Sequence, residues 1–207
     1  EALKESEFLA CIKAHLASGG QVRTLPNLEE VAPICKRFGL LTAKPILYIA
    51  NIDDEGLKQS EALDAVRALA KSEGAGILPL SLATEADLSE LDDEERTEFM
   101  QDLGLEEPGL HQVIRAAYAL LGLETYFTAG VREVRAWTIP KGATAPESAG
   151  VIHTDFQKGF IRAEVTAYDD FIACNGEQGA KAAGKLRLEG KTYIMKDGDV
   201  VHFLFNV

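Results

Sequence analysis

Cysteine is scarce in this chain. Cys11, Cys35 and Cys174 are isolated singletons with no Cys-x-x-Cys pair, which argues against a disulfide framework and a thiolate zinc module. They read as reduced packing residues or as redox-sensitive thiols, and spacing alone leaves both readings open. Long hydrophobic runs are missing as well: the apolar stretches are strand-sized and interrupted, too short for a membrane span. No collagen, mucin or low-complexity tract occurs, and Glu1-Ala2-Leu3-Lys4-Glu5 lacks the pattern of a signal peptide. A soluble cytoplasmic chain is therefore the expectation. The absence with the largest consequence is chemical. The phosphate-cradling string Gly-x-x-x-x-Gly-Lys-Ser/Thr occurs nowhere in the 207 residues, so this stretch has no such means of gripping a triphosphate through backbone amides and a lysine.

What is present suits packed cores: 46% of residues are apolar, and the length fits one or two domains. The net charge of -12 is uneven, because residues 126–207 hold ten Lys/Arg against ten Asp/Glu, whereas residues 1–125 hold eleven basic and twenty-three acidic residues. An acidic chain is a poor general binder of nucleic acid, so any phosphate contact must come from a local basic group. Residues 85–107 carry eleven acids and only Arg96 as a base, beside the apolar stripe Leu88, Leu91, Phe99, Met100 and Leu103. That segment reads as a solvated helical face or as an acidic partner surface.

Periodicity places the elements. Leu3, Phe8, Leu9, Ile12 and Leu16 step by threes and fours up to Gly19-Gly20, which predicts an amphipathic helix, either a surface helix or the second arm of an antiparallel hairpin. A short helix over 27–38 follows. The apolar run 46–50, a helix over 61–72 and a second apolar run 77–81 make one βαβ unit, with strands of a kind buried on both faces of a parallel sheet. A further helix is expected over 109–121. Residues 126–207 then read as a strand over 131–139, a helical stretch over 145–152, a strand over 160–167, a helix over 177–188 and closing strands over 193–195 and 200–205. Lys196-Asp197-Gly198-Asp199 carries the Asp-Gly pair favoured in tight hairpins. The expected fold class is α/β plus α+β, the second part being a roll of ubiquitin-like type.

In open α/β sheets ligands bind beyond the carboxyl ends of the strands. Here those ends are Asn51-Ile52-Asp53-Asp54 and Ser81-Leu82-Ala83-Thr84, so Asn51, Ile52, Asp54, Ser81, Leu82 and Ala83 are candidates for reading a nucleotide base. The alternative is an Asx turn in which Asn51 and Asp54 merely cap the next helix. The densest basic group is Lys181, Lys185, Arg187 and Lys191, with Arg162 and Lys158 as possible neighbours. Lys181 and Lys185 share a face if the helix is continuous, which suits a phosphate backbone or an ordinary solvated face. His153-Thr154-Asp155 supplies too few ligands for a metal and reads as a structural turn. Trp137 and Phe160 lie in strand patterns and read as core.

Several strings together resemble the YchF / Obg-like ATPase family of P-loop GTPases and ATPases. They are Lys44-Pro45-Ile46-Leu47-Tyr48-Ile49-Ala50-Asn51, Tyr126-Phe127-Thr128-Ala129-Gly130, Glu133-Val134-Arg135-Ala136-Trp137-Thr138-Ile139, the run from His153 through Glu164, and Asp197-Gly198-Asp199-Val200 with Phe203-Leu204-Phe205-Asn206. The resemblance implies that residues 1–42 are the returning arm of a helical insertion with its re-entry. Residues 43–125 would be the last portion of the nucleotide-binding domain, and residues 126–207 a TGS domain of β-grasp fold. It also implies a C-terminal fragment that should not hydrolyse nucleotide alone, cut from a monomer that uses ATP or GTP with Mg²⁺ and associates with ribosomes or RNA. The family pattern Asn-x-x-Glu reads here as Asn51 to Asp54 with Glu55 next, a carboxylate either one methylene shorter or displaced by one residue. ATP is the expected nucleotide of the intact protein. From a different class, a non-enzymatic RNA- or protein-binding adaptor acting through the TGS domain stands as the alternative. No motif specific to DNA is present.

Overall fold

The computed structural model describes residues 2–53, 60–130 and 132–206, which form two compact units, Glu1–Leu120 and Leu121–Val207. In the first unit, helices α1 (Ala2–Ala17) and α2 (Leu28–Phe38) close on a small core of Ile12, Val22, Leu25, Val31 and Cys35, with Phe8, Leu28 and Leu40 packed against it. The stripe of α1 is thus met by the element that follows it, and an ion pair between Arg37 and Glu5 ties the two helices. The helix α2 ends at Gly39, whose left-handed φ of 62° lets its amide cap the last turn.

The βαβ unit forms as its pattern dictates. Strands β1 (Leu47–Asn51) and β2 (Gly76–Leu80) pair in parallel from Leu47 opposite Gly76 to Asn51 opposite Leu80. The crossover helix α3 (Glu61–Glu73) is N-capped by the Ser60 hydroxyl, buries Leu63 and Ala70, and contacts both strands. Burial on both faces is not found: Ile49 remains 46% exposed. The α1–α2 arm is anchored to this unit by one carboxylate, since Glu73 accepts from Gln21 Nε2 at 2.9 Å and from Tyr48 Oη at 2.7 Å. The Glu73 bond is the leading cause of the upward shift in the Tyr48 phenol pKa.

The acidic segment is two helices, α4 (Leu82–Glu90) and α5 (Asp93–Leu103). Asp92 and Glu95 form a capping box at the start of α5, so part of the acidic charge sits where a helix N-terminus favours it. Helix α6 (Gly109–Leu121) closes the unit.

The second unit is a five-stranded mixed sheet in the order β4-β3-β7-β5-β6. Strand β3 (Leu123–Ala129) pairs antiparallel with β4 (Val134–Pro140) and parallel with β7 (Asp199–Phe205), which in turn pairs antiparallel with β5 (Phe160–Ala167). The short β6 (Arg187–Glu189) lies on the outer edge of β5. Helices α7 (Ala145–Ile152) and α8 (Thr154–Lys158) sit between β4 and β5 in sequence, and α9 (Tyr168–Ala173) and α10 (Glu177–Ala182) between β5 and β6. Tyr126, Ile139, Ala149, Phe160, Val165, Met195 and Phe203 belong to one core with Trp137 and Phe156 packed on it.

Several sequence expectations are corrected here. Strand β3 begins at Leu123, in a stretch where the sequence pattern predicts no strand. The strand expected over 131–139 begins at Val134 among the described residues. The helix expected over 177–188 stops at Ala182, because Gly184 turns left-handed at φ 69° and the Lys185 amide bonds back to the Ala180 carbonyl at 2.8 Å. Residues 193–195 are not a strand and make a single bridge, Ile194 with Thr144. The Asp-Gly turn does not close a hairpin either. It docks on β3, where the Thr125 amide donates to Asp197 Oδ1 at 2.7 Å and the Gly198 amide to the Thr125 carbonyl at 2.8 Å.

Tyr126 is fully buried, and its hydroxyl donates to the Ser148 carbonyl of α7 at 2.9 Å; burial pushes its pKa well above the ordinary phenol value. Replacing Tyr126 with Phe keeps the ring and removes this buried bond, so urea unfolding should show a loss of about 1 kcal/mol. An unchanged midpoint would mean that the bond contributes nothing net. Among the described residues no helix is long and apolar enough to cross a membrane.

Candidate functional site

The parallel pairing of β1 and β2 brings their carboxyl ends side by side, and a side chain links them. Asn51 Oδ1 accepts the Leu82 amide at 3.2 Å, while the Ile52 amide donates to the Leu80 carbonyl at 3.0 Å. The Asn51 bond runs across to the second strand end, a link that a helix-capping turn within its own loop would not by itself supply. A carboxamide so oriented by its oxygen carries amino donors that suit an acceptor on a base edge.

The second loop is held from below. Ser81, buried, N-caps α4 by accepting the Thr84 amide at 3.4 Å, and its hydroxyl lies 2.8 Å from that of Thr84. Leu82 is 50% exposed and Ala83 is exposed, whereas Ile52 is half-buried. The described part of this edge therefore offers a carboxamide, backbone groups and small apolar surfaces, a set suited to a flat, polar-edged ring. Asp54 and Glu55 lie outside the described residues, so five of the six candidates, Asn51, Ile52, Ser81, Leu82 and Ala83, are placed together here.

The basic candidates fare differently. Lys181 is on α10, but Lys185 lies past its end, so the shared helical face expected for them does not exist. Lys185 pairs with Asp170 at 3.3 Å, and Arg187 pairs with Glu189 at 3.3 Å and with the buried Asp199 at 3.5 Å. Arg187 also donates to Tyr193 Oη at 3.0 Å. Lys181, Lys191 and Arg162 are exposed, and no ion pair is recorded for them among the described residues. Arg162 is on β5, opposite Leu204 of β7. Of the five basic candidates, two serve the fold and three point their charge at solvent.

His153 is a structural residue, as its pattern suggests. It ends α7 and its Nδ1 accepts the Asp155 amide at 3.2 Å to start α8. Phe160 is core, and Trp137 is partly buried with its indole N–H on Thr128 Oγ1 at 3.0 Å and the Arg135 guanidinium 4.2 Å over its ring. Among the described residues no cluster of three or more His, Cys, Asp or Glu could hold a metal ion. Sequence reading passed over Glu85, whose carboxylate accepts the first two amides of α6, Gly109 at 2.7 Å and Leu110 at 3.3 Å. The Pro108-Gly109 start of α6 was the only local cue to that contact, and it does not name a partner 24 residues away.

Comparison with known proteins identifies what the chain as a whole is similar to. Residues 123–206 match a family model named YchF-GTPase_C and described as a protein of unknown function (DUF933). A Haemophilus influenzae protein named "Ribosome-binding ATPase YchF" is 57% identical over 207 residues, covering all of this chain and 57% of that protein. Along its whole length the chain is similar to YchF proteins, and residues 123–206 carry the C-terminal YchF match. The YchF protein of Escherichia coli O157:H7 is 59% identical over 192 residues, 93% of this chain and 53% of its own length. A solved structure, that of the Schizosaccharomyces pombe YchF GTPase, matches with a TM-score of 0.70 at 38% identity, covering 80% of this chain and 44% of that one. The chain thus spans little more than half the length of the curated YchF proteins it matches, and the mixed α/β architecture is that of YchF structures.

Proposed function

We propose that this chain is the C-terminal part of a cytoplasmic P-loop ATPase of YchF type that associates with ribosomes, and that its first unit reads the nucleotide base while its second unit meets RNA. The observation that carries the first half is the Asn51 Oδ1 to Leu82 amide bond, which joins the two strand ends into one base-reading edge. Asn51, with Ile52, Asp54 and the Ser81-Leu82-Ala83 loop, is assigned to the base of ATP, with GTP the competing nucleotide. The phosphate loop and the Mg²⁺ site belong to the portion of the intact protein outside this chain. They supply the positioning and charge neutralisation that phosphoryl transfer needs, so the 207 residues alone do not hydrolyse nucleotide.

The second unit is assigned as a TGS domain. Counting its strands from the first, the order is second, first, fifth, third, fourth with the central pair parallel, which supports the β-grasp reading. Residues 1–42 are assigned as the returning arm of a helical insertion. That relatives are named ribosome-binding ATPases supports ribosome association, and the exposed charges of Lys181, Lys191 and Arg162 supply the phosphate contact.

Cosedimentation of this chain with purified ribosomes tests the RNA half. Pelleting should fall steeply with added salt, and changing Lys181, Lys191 and Arg162 together to Glu should abolish it without altering the melting temperature. Pelleting that survives the triple change would remove the second unit's basic residues from the interface. No pelleting of the parent chain would place the contact in the nucleotide-loaded portion.

A further inference from the structure

Glu85 lies three residues after Leu82 on α4, and its carboxylate reaches across to a different helix. It accepts Gly109 N at 2.7 Å and Leu110 N at 3.3 Å, two of the orphan donors that every helix start presents. An anion there is favoured by the α6 dipole as well as by the two hydrogen bonds. The fit is close: a Cβ on Gly109 would come within 2.6 Å of Glu85 Oε1 and 2.7 Å of Leu80 Cδ2. The start of α6 is therefore wedged between the end of β2 and the first turns of α4, directly behind the loop whose Leu82 amide Asn51 holds.

Local bonds constrain that loop as well. Ser81 and Thr84 bond to each other within the first turn of α4, and Leu88, 2% exposed, is buried one turn later. The Glu85 pair bonds α4 directly to the start of α6 and so helps to fix one helix against the other. The turn that carries the Leu82 amide is thus referenced to the rest of the unit by Asn51 on one side and by Glu85 on the other. We propose that Glu85 is a positioning residue of the base-reading edge, setting the height and tilt of the Ser81-Leu82-Ala83 loop so that Asn51 and the loop amides meet the base together. This inference rests on the assignment of that edge to the nucleotide base.

The test uses the full-length protein that carries this segment. Glu85→Gln keeps the shape and removes the charge, and Gly109→Ala pushes on the same carboxylate from the other side. Dissociation constants for ATP and for tripolyphosphate, which has no base, are measured for each variant, with Asn51→Ala in parallel and thermal melting as a check of folding. Both variants should weaken ATP binding about tenfold and leave tripolyphosphate binding within twofold, because only the base half of the site has moved. Equal losses for ATP and tripolyphosphate, or no loss for ATP in a folded variant, would overturn the positioning role. If Asn51→Ala weakens ATP and neither of the other two does, the edge reads the base without Glu85. If Asn51→Ala is also silent, the base assignment itself falls and takes the proposal with it.

Discussion

Replacing Gly159 with alanine should cost the second unit about 3 kcal/mol or more, a large share of the stability of a domain of this size. The backbone at Gly159 has φ -88° and ψ 7°, which any L-residue adopts, so conformational strain is not the cause. The cause is space. A Cβ there would run into the carbonyl oxygen of Asn206, with the carbonyl carbon at 2.8 Å and the amide nitrogen at 3.2 Å. These are main-chain atoms, so no side chain can rotate away. The Asn206 amide donates to the Gly159 carbonyl at 2.9 Å, and one residue later Phe160 begins β5 opposite Phe205, with a register irregularity between Phe160 and Arg162. Making room means drawing the end of β7 from the start of β5. That disturbs the stacked pair Phe156 and Phe205, whose centroids are 3.8 Å apart, and the edge contact of Phe160 with Phe203 at 6.1 Å. Thermal unfolding should show the second unit melting more than 10 °C lower, by the roughly 4–8 °C per kcal/mol of small domains. A shift below about 2 °C would show that the strand ends part at little cost.

Gly159 also shows where sequence reading stops. A glycine between a helical stretch and a strand is an ordinary turn signal, and nothing local says that residue 206 passes against it. The same limit explains β3. Its residues 123–129 follow a helix with only Gly122 between, and their apolar positions continue the helical stripe, so periodicity extends one element into the next. The long-range pairing with β4, from Leu123 opposite Pro140 to Ala129 opposite Val134, makes them a strand. Elements with local causes were legible: α3 ahead of Gly74, and the parallel pair β1 and β2; the capping box of α5 is a local signal too, but it was passed over within the acidic run.

The candidate nucleotide edge was legible for a comparable reason. Two apolar strands joined by one crossover helix must end on the same side, and polar residues at both ends can be found by counting. The basic group was not. Lys185 and Arg187 look the same in sequence as Lys181 and Lys191, and only the fold reveals that Asp170, Glu189 and Asp199 hold them. Spacing on an assumed helix was the misleading step, because the Gly184 stop falls between Lys181 and Lys185.

Substituting Asp199 should destabilise the second unit by about 3 kcal/mol when the replacement is alanine and by less when it is asparagine. Asp199 is 2% exposed, and its Oδ2 accepts from Tyr193 Oη at 2.8 Å and from the Lys196 amide at 3.0 Å. Arg187 stands 3.5 Å from Oδ1 and bonds the same tyrosine hydroxyl. Burial, and next the bond to this carboxylate, push the Tyr193 phenol well above its usual pKa. Alanine leaves a partly buried amide and a partly buried hydroxyl without their acceptor, the costly case for hydrogen bonds. The Arg187 side chain is 41% exposed, so solvent takes back much of its share of the loss. Asparagine keeps one acceptor oxygen and loses only the charge. Chemical denaturation that ranks wild type above Asn and Asn above Ala is the expected result, and equal midpoints for Ala and wild type would show the cluster to be idle. The same geometry decides how the RNA contact can be probed. Changing Arg187 to Glu would set a third carboxylate beside Asp199 and Glu189 and unfold the outer strand. A loss of ribosome binding in that variant would then report stability, whereas Lys181, Lys191 and Arg162 can be reversed with the fold intact.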